Sequence, residues 1–300
     1  MQHTEPPPAL RATSPSRGGA VTRFAPSPTG QLHLGHAYSA ALAHQAALES
    51  DGRFLLRIEN LDQTRSRPKF VAGIEEDLRW LGLNWDGKPL IQSQRSEHYT
   101  AAIERLKAMG LVYPCFCTRS DIAAALNAPH GPVAARYPGT CRGLPDDPQR
   151  RETTPHSWRL DSAKAIGFVG LPSWTEHNGR TFTATAAEID DEILARKDAP
   201  AAYHLACVVD DAASAVDLVV RGMDLRSSTP VQRLLQMLLD LHEPEYLHHP
   251  LVVHEDGRRL AKRDRAPTLQ ALRESGVDGP TLAEQLRAGI LPSGFRLAQA

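Results

Sequence analysis

An α/β fold on a parallel sheet, interrupted by an inserted metal-binding lobe and closed by a short helical part, is what this 300-residue chain predicts. Three observations predict it. Strand-like and helix-like segments alternate from Val21 to Leu106 and resume after Ala201; a Pro-rich irregular stretch separates the two runs; and three of the four cysteines gather in that stretch. Such alternation argues for parallel strands joined by crossover helices.

The elements follow in order. Residues 1–20, rich in Pro, Ser, Arg and Gly, cannot bury enough surface to order themselves and are expected to form a flexible extension. Residues 21–114 make the first half of the main domain. Val21 to Ala25 reads as a strand, Pro26 to Gly30 as a pinned turn, Gly35 to Glu49 as an Ala-rich helix and Phe54 to Glu59 as a second strand. Val71, Ile74, Leu78 and Leu81, then Tyr99, Ile103 and Leu106 ahead of Gly110, recur at helical spacing. Residues 115–199 form the inserted lobe, with Pro-rich loops around Ala128 to Pro148. Residues 200–255 make the second half. The apolar run around Cys207 reads as strand-like, with Cys207 a small core residue. Thr229, Pro230 and Gln232 read as N-cap, first helical position and capping box of a helix buried through Leu234, Leu235, Leu238 and Leu239. Residues 256–300 contain a basic loop and helical stretches near Leu269 to Glu274 and Leu282 to Ala288.

Composition narrows the function classes. With 41% hydrophobic and 23% charged residues the chain suits a soluble fold with a full core, and a net charge of −1 supplies no global field for nucleic acid, so any such affinity must be local. No run of eighteen apolar residues occurs, and Pro6-Pro7-Pro8 stands where a secretory signal needs an apolar core, so a cytoplasmic protein without a membrane partner is expected.

Two segments carry chemistry. His33-Leu34-Gly35-His36 follows a strand and a Pro/Gly turn at a helix start, where unpaired N–H groups and the helix dipole favour phosphate. Gly35 lets a nucleotide approach the backbone, and His33 and His36 can donate to charge growing on phosphate. Alone, this pattern is as often surface polarity as catalysis. The second segment is the basic loop Gly257 to Asp264, whose Lys262 is the candidate mobile cation. Cys115, Cys117 and Cys141 supply three thiolates at spacings that suit zinc better than a disulfide. The chemistry of zinc alone favours His130 as the fourth ligand.

Taken together, His33-Leu34-Gly35-His36 and Arg259-Leu260-Ala261-Lys262-Arg263 resemble the paired HIGH and KMSKS signatures of class I aminoacyl-tRNA synthetases. Arg23 to Gly30, Leu55 to Glu59, Tyr203 to Asp211 and Val219 to Leu225 resemble the glutamyl branch. The resemblance implies a Rossmann-type nucleotide-binding domain using ATP with Mg²⁺, with His33, Gly35, His36 and Lys262 at the nucleotide. It further implies a glutamate pocket lined by Arg23, Ala25 and Ser27, with Glu59 on the ammonium group and Tyr203 and Arg221 at the side-chain end.

Three departures stand out. The chain reads Glu59-Asn60-Leu61-Asp62 where the branch often has Glu-Asp-Thr-Asp, and Ala261 stands where a serine is common. After Asp264 only 36 residues remain, too few for the large C-terminal domain with which this branch reads anticodons. That shortness, with a Cys-x-Cys…Tyr-x-x-x-Cys insertion, resembles the glutamyl-Q tRNA(Asp) synthetase family. Membership would imply Tyr137 as fourth ligand of a structural zinc, tRNA-independent activation of glutamate, and its transfer to queuosine in the anticodon loop of tRNA(Asp) by a monomer. Arg119, Arg136, Arg142, Arg150 and Arg151 are candidate phosphate contacts. A short glutamyl-tRNA synthetase charging the 3′ end, and a nucleotidyltransferase that never meets tRNA, are the alternative readings.

Overall fold

Strand β1 (Val21–Phe24) is buried along its length and pairs in parallel with β2 (Arg53–Ile58), in register Val21↔Arg53 to Phe24↔Leu56. This is a computed structural model, and it describes residues 19–298 apart from 119, 123–135, 146 and 261–266. Helix α1 (Leu34–Glu49) makes the first crossover, and α2 (Pro68–Trp80) leads to the short parallel strand β3 (Leu90–Ile91). Ala37, Ala40, Ala41, Ala43 and Ala47 are buried, and these small residues let α1 press against β1 and β2 on one side and the C-terminal part on the other. Helix α3 (Ser96–Ala108) closes the first half, ending at Gly110 with φ +68°.

The chain then leaves for the inserted lobe. Strand β4 (Val112–Cys115), after a short helix α4 (Pro148–Thr153), joins β5 (Ser157–Leu160) in an antiparallel sheet. Helix α5 (Ser162–Val169) precedes the hairpin β6 (Ser173–Thr175) and β7 (Thr181–Thr183), and β8 (Ile193–Ala195) returns to β5. The lobe is therefore more regular than its composition predicts. Its strands are only three or four residues long, and their period is lost among prolines and glycines.

The second half holds α6 (Tyr203–Ala213), β9 (Leu218–Gly222), α7 (Thr229–Leu238) and β10 (Glu245–His249), with β9 and β10 parallel. Strand β9 begins beside β1, where the Asp217 N–H donates to the Val21 carbonyl (3.1 Å) and the Val21 N–H to Asp217 Oδ1 (2.7 Å). Side chains alternate between two cores: Val219 faces the α3, α6 and α7 side, and Leu218 and Val220 face the α1 side. Burial on both faces explains why these strands read as unbroken apolar runs.

Two expectations are corrected here. The run around Cys207 is helix α6, not a strand; a continuous apolar segment buried on most sides has no legible period. Thr229 is the first residue of helix α7 and not its N-cap, which is Ser228 and makes no side-chain cap, because the turn Met223–Ser228 runs directly into the helix; the Thr229 hydroxyl accepts from Arg221. The C-terminal part pairs β11 (Val252–His254) with β12 (Phe295–Leu297) around α8 (Leu269–Glu274) and α9 (Gly279–Arg287). The last of these helices starts three residues before its expected beginning, capped by the Asp278 carboxylate. Among the described residues no helix is long and apolar enough to cross a membrane.

Candidate active site

A cavity of about 560 Å³ opens at the C-terminal ends of β1, β2 and β9, where open α/β sheets bind ligands. Arg23, Ala25, Ser27, Glu59, Tyr203 and Arg221 line it together with His33, Gly35 and His36. Lys262 lies outside the described residues, but Arg259 and Leu260 of the same loop form part of the wall.

The two histidines are built into the start of α1. His33 is its N-cap: the Gly35 N–H donates to His33 Nδ1 (3.1 Å), and the His33 N–H donates to His36 Nδ1 (3.1 Å). Both Nδ1 atoms being acceptors, each neutral ring carries its proton on Nε2 and presents an N–H donor at a helix N-terminus. The ring centroids stand 3.8 Å apart. A Cβ on Gly35 would come within 3.2 Å of two atoms of the His33 ring, so glycine there lets the imidazole fold over the turn.

Behind the pocket lies a buried charge network. Arg23 Nε donates to Asp211 Oδ1 (3.0 Å), Arg57 Nη1 donates to the same oxygen, and Arg57 Nη2 donates to Glu59 Oε1 (3.0 Å). Cys207, at the buried face of α6, touches both Arg57 (3.4 Å) and Asp211 (3.6 Å). Burial pushes the Asp211 carboxyl up, but Arg23 and Arg57 outweigh it and hold the group at about 2. Burial raises Glu59 in spite of Arg57, so a cation arriving from the cavity side would be welcome there. The neighbouring Asp210 collects Gln92 (2.9 Å), Arg95 (2.6 Å) and Tyr99 (2.7 Å), fastening α6 to α3.

Arg221 is held differently. Its Nε donates to His248 Nε2 (3.2 Å), Nη1 to Gln232 Oε1 (2.6 Å) and Nη2 to Thr229 Oγ1 (2.9 Å). It is 4% exposed and, among the described residues, makes no ion pair. Three of its five N–H bonds are used by neutral groups, leaving two for an incoming anion. A buried cation without a counter-charge is costly, and a ligand carboxylate would supply one. Tyr203, at the first turn of α6, is pushed up by burial and keeps its hydroxyl proton.

Sequence reasoning placed Thr229 and Gln232 only at a helix start, missed His248, and knew Arg57 and Asp211 only through motifs. One signal was available: two adjacent carboxylates, Asp210 and Asp211, sit in an otherwise apolar run, and buried carboxylates require cations. The cations themselves lie more than a hundred residues away, so no spacing rule names them.

Away from this cavity, the Sγ atoms of Cys115, Cys117 and Cys141 lie within 4.8 Å of one another, with Cys117 and Cys141 3.5 Å apart. The Tyr137 hydroxyl is 3.3 Å from Cys115 Sγ and 3.5 Å from Cys117 Sγ. Thiolates bound tetrahedrally at about 2.3 Å from one zinc would sit ~3.8 Å apart, so the donor set fits. The Tyr137 N–H donates to Asp190 (2.8 Å) and Arg142 to Asp191 (2.6 Å), tying the cluster to the segment before β8. His130 lies outside the described residues.

Fold and site together define a class I synthetase catalytic domain. Residues 20–296 match the class I tRNA synthetases (E and Q), catalytic domain. The glutamyl-Q tRNA(Asp) synthetase of Rhodobacter capsulatus is 46% identical over 86% of this chain and 96% of its own length; that of Nocardia farcinica is 47% identical over 93% and 83%. The solved glutamate-tRNA synthetase of Elizabethkingia anophelis superposes with a TM-score of 0.78 at 26% identity, covering 92% of this chain, which spans 62% of that one. The chain belongs to the glutamyl-Q tRNA(Asp) synthetase family, a family of ligases within class I.

Proposed function

We propose that this protein activates L-glutamate with ATP, without needing tRNA, and transfers it to queuosine in the anticodon loop of tRNA(Asp). The observation that carries the amino-acid half is Arg221, a buried guanidinium with two N–H bonds to spare and no counter-ion among the described residues. A glutamate side-chain carboxylate supplies that charge, while Glu59 takes the ammonium group. Arg23 and Tyr203 bound the pocket and hold the substrate so that its α-carboxylate faces the α-phosphate of ATP.

Attack by that carboxylate oxygen forms the acyl-phosphate bond and expels pyrophosphate. Charge then grows on phosphoryl oxygens beside the Nε2–H donors of His33 and His36, where preorganised donors contribute most. In this reading Lys262 and Mg²⁺ would supply the cations beside these neutral donors. The transfer half is supported by the relatives, which carry the glutamyl-Q name at 46–47% identity, against 26% for the glutamate-tRNA synthetase.

Labelled glutamate offered with ATP to tRNA(Asp) with and without queuosine tests the reading. Label is expected only on the queuosine-containing tRNA, and mild periodate treatment locates the diol that carries it. Charging of tRNA(Glu) at its terminal ribose would instead make the protein a small glutamyl-tRNA synthetase.

The same reading gives Cys115, Cys117, Cys141 and Tyr137 to a structural zinc, which would cross-link the lobe. Chelation, or Cys115→Ser, is expected to lower the melting temperature and tRNA transfer while pyrophosphate exchange stays within about threefold, since the thiolates lie outside the cavity. Selective loss of exchange would refute the structural role.

A further inference from the structure

Arg221 is anchored by a residue of the second half and, through it, by the inserted lobe. His248, in β10, accepts from Arg221 through Nε2 and donates through Nδ1 to Glu176 Oε1 (2.8 Å). Glu176 follows β6, just ahead of the turn of the lobe hairpin, and bridges Tyr246 of β10 in parallel fashion. The same carboxylate oxygen accepts from Trp174 Nε1 (3.1 Å), and Arg226 Nε stands 4.0 Å away. The His248 side chain is 1% exposed and that of Glu176 12%, so the chain of three groups is shielded from water.

The order of these groups matters chemically. A carboxylate directly on Arg221 would cancel the charge that an acidic substrate needs. An imidazole holds the guanidinium by one hydrogen bond and leaves its charge unspent, provided that Nε2 carries the lone pair and not the proton. Glu176 enforces that tautomer by accepting the Nδ1 proton. Burial and then Arg221 lower His248 to about 4, although Glu176 opposes them, so the ring is a neutral acceptor near pH 7. Thr229 and Gln232 hold the other two edges, and the fork is locked in one plane.

We propose that Glu176 and His248 are positioning residues for Arg221, through which the lobe hairpin sets the affinity for the carboxylate of the amino-acid substrate. This rests on the reading of Arg221 as the partner of the glutamate side chain. Neither residue is among those that line the cavity, which is why the role assigned to them is positioning and not contact.

Pyrophosphate exchange by the full chain tests it, with separate KM values for glutamate and ATP. Glu176→Ala and His248→Phe are expected to raise the glutamate KM at least tenfold while the ATP KM stays within twofold. Glu176→Gln, whose amide oxygen still accepts from Nδ1–H, is expected to remain within threefold of wild type. A purely structural role would instead lower kcat, through the active fraction, at unchanged KM. Unchanged glutamate KM in both variants, parallel rises for glutamate and ATP, or Glu176→Gln as impaired as the alanine variant overturns the proposal. If Glu176→Ala does not fold, His248→Phe against Glu176→Gln makes the same comparison. Wild-type protein silent with glutamate would overturn the glutamate reading itself, an outcome separate from any variant result.

Discussion

Asp211→Ala is expected to cost about 3–5 kcal/mol of folding stability, the range for removing one partner of a buried ion network, and to abolish measurable glutamate activation. Its carboxylate is the common acceptor for Arg23 and Arg57, all three nearly sealed from solvent. Without it two guanidinium groups face each other with only Glu59 to share. Arg57 would draw Glu59 from its place at the cavity wall, and Arg23 would lose the contact that aims it. Asp211→Asn keeps the volume and one acceptor, and a smaller loss is expected of it. The pH dependence has a defined sign. The Asp211 carboxyl titrates lower in the folded protein, at about 2, than its ordinary 3.8. Its stabilising contribution is therefore complete above about pH 4 and is lost as pH falls through 2. Thermal melts between pH 7 and 2 check this: the acid-sensitive component should shrink in Asp211→Ala, and an unchanged acid limb would refute the assignment.

His36→Ala is expected to lower kcat for pyrophosphate exchange by about 10²–10³-fold, the usual effect of removing one preorganised donor to a charged transition state. Glutamate KM should change little, because the ring belongs to the phosphate end of the cavity in the proposed mechanism. The substitution also deletes the acceptor for the His33 N–H, so part of the loss arises from a looser His33 ring. His36→Asn, which restores an acceptor but not the Nε2–H position, separates the two contributions: stability should recover while kcat stays low. A kcat within threefold of wild type in His36→Ala would remove this histidine from the chemistry.

The sequence was most legible where function depends on local chain. His33, Gly35 and His36 lie within one turn, and their spacing next to the Pro/Gly turn is enough to mark the helix start that the structure shows there. The Cys115–Cys117 pair and Tyr137–Cys141 are each local as well, and their meeting in one cluster needed only a loop to close. Legibility failed where burial replaced periodicity. Helix α6 is buried on most sides, so its apolar run carries no helical stripe and reads equally well as a strand. Thr229 and Gln232 satisfy the local rule for a capping box, yet the turn Met223–Ser228 runs straight into the helix and makes Ser228 the N-cap, and the two side chains accept from the buried Arg221 guanidinium instead.

By itself the sequence determined the α/β class, the helix start at His33 to His36, the cysteine cluster and the family. It could do so because those features rest on residue types at short, fixed separations. Only the tertiary structure decided how the charges are shared. Arg57 and Asp211 are 154 positions apart, and His248 and Glu176 are 72. Which acid neutralises which arginine, and which arginine is left with neutral partners among the described residues, is settled by the low-dielectric interior that forms when the two halves and the lobe pack together.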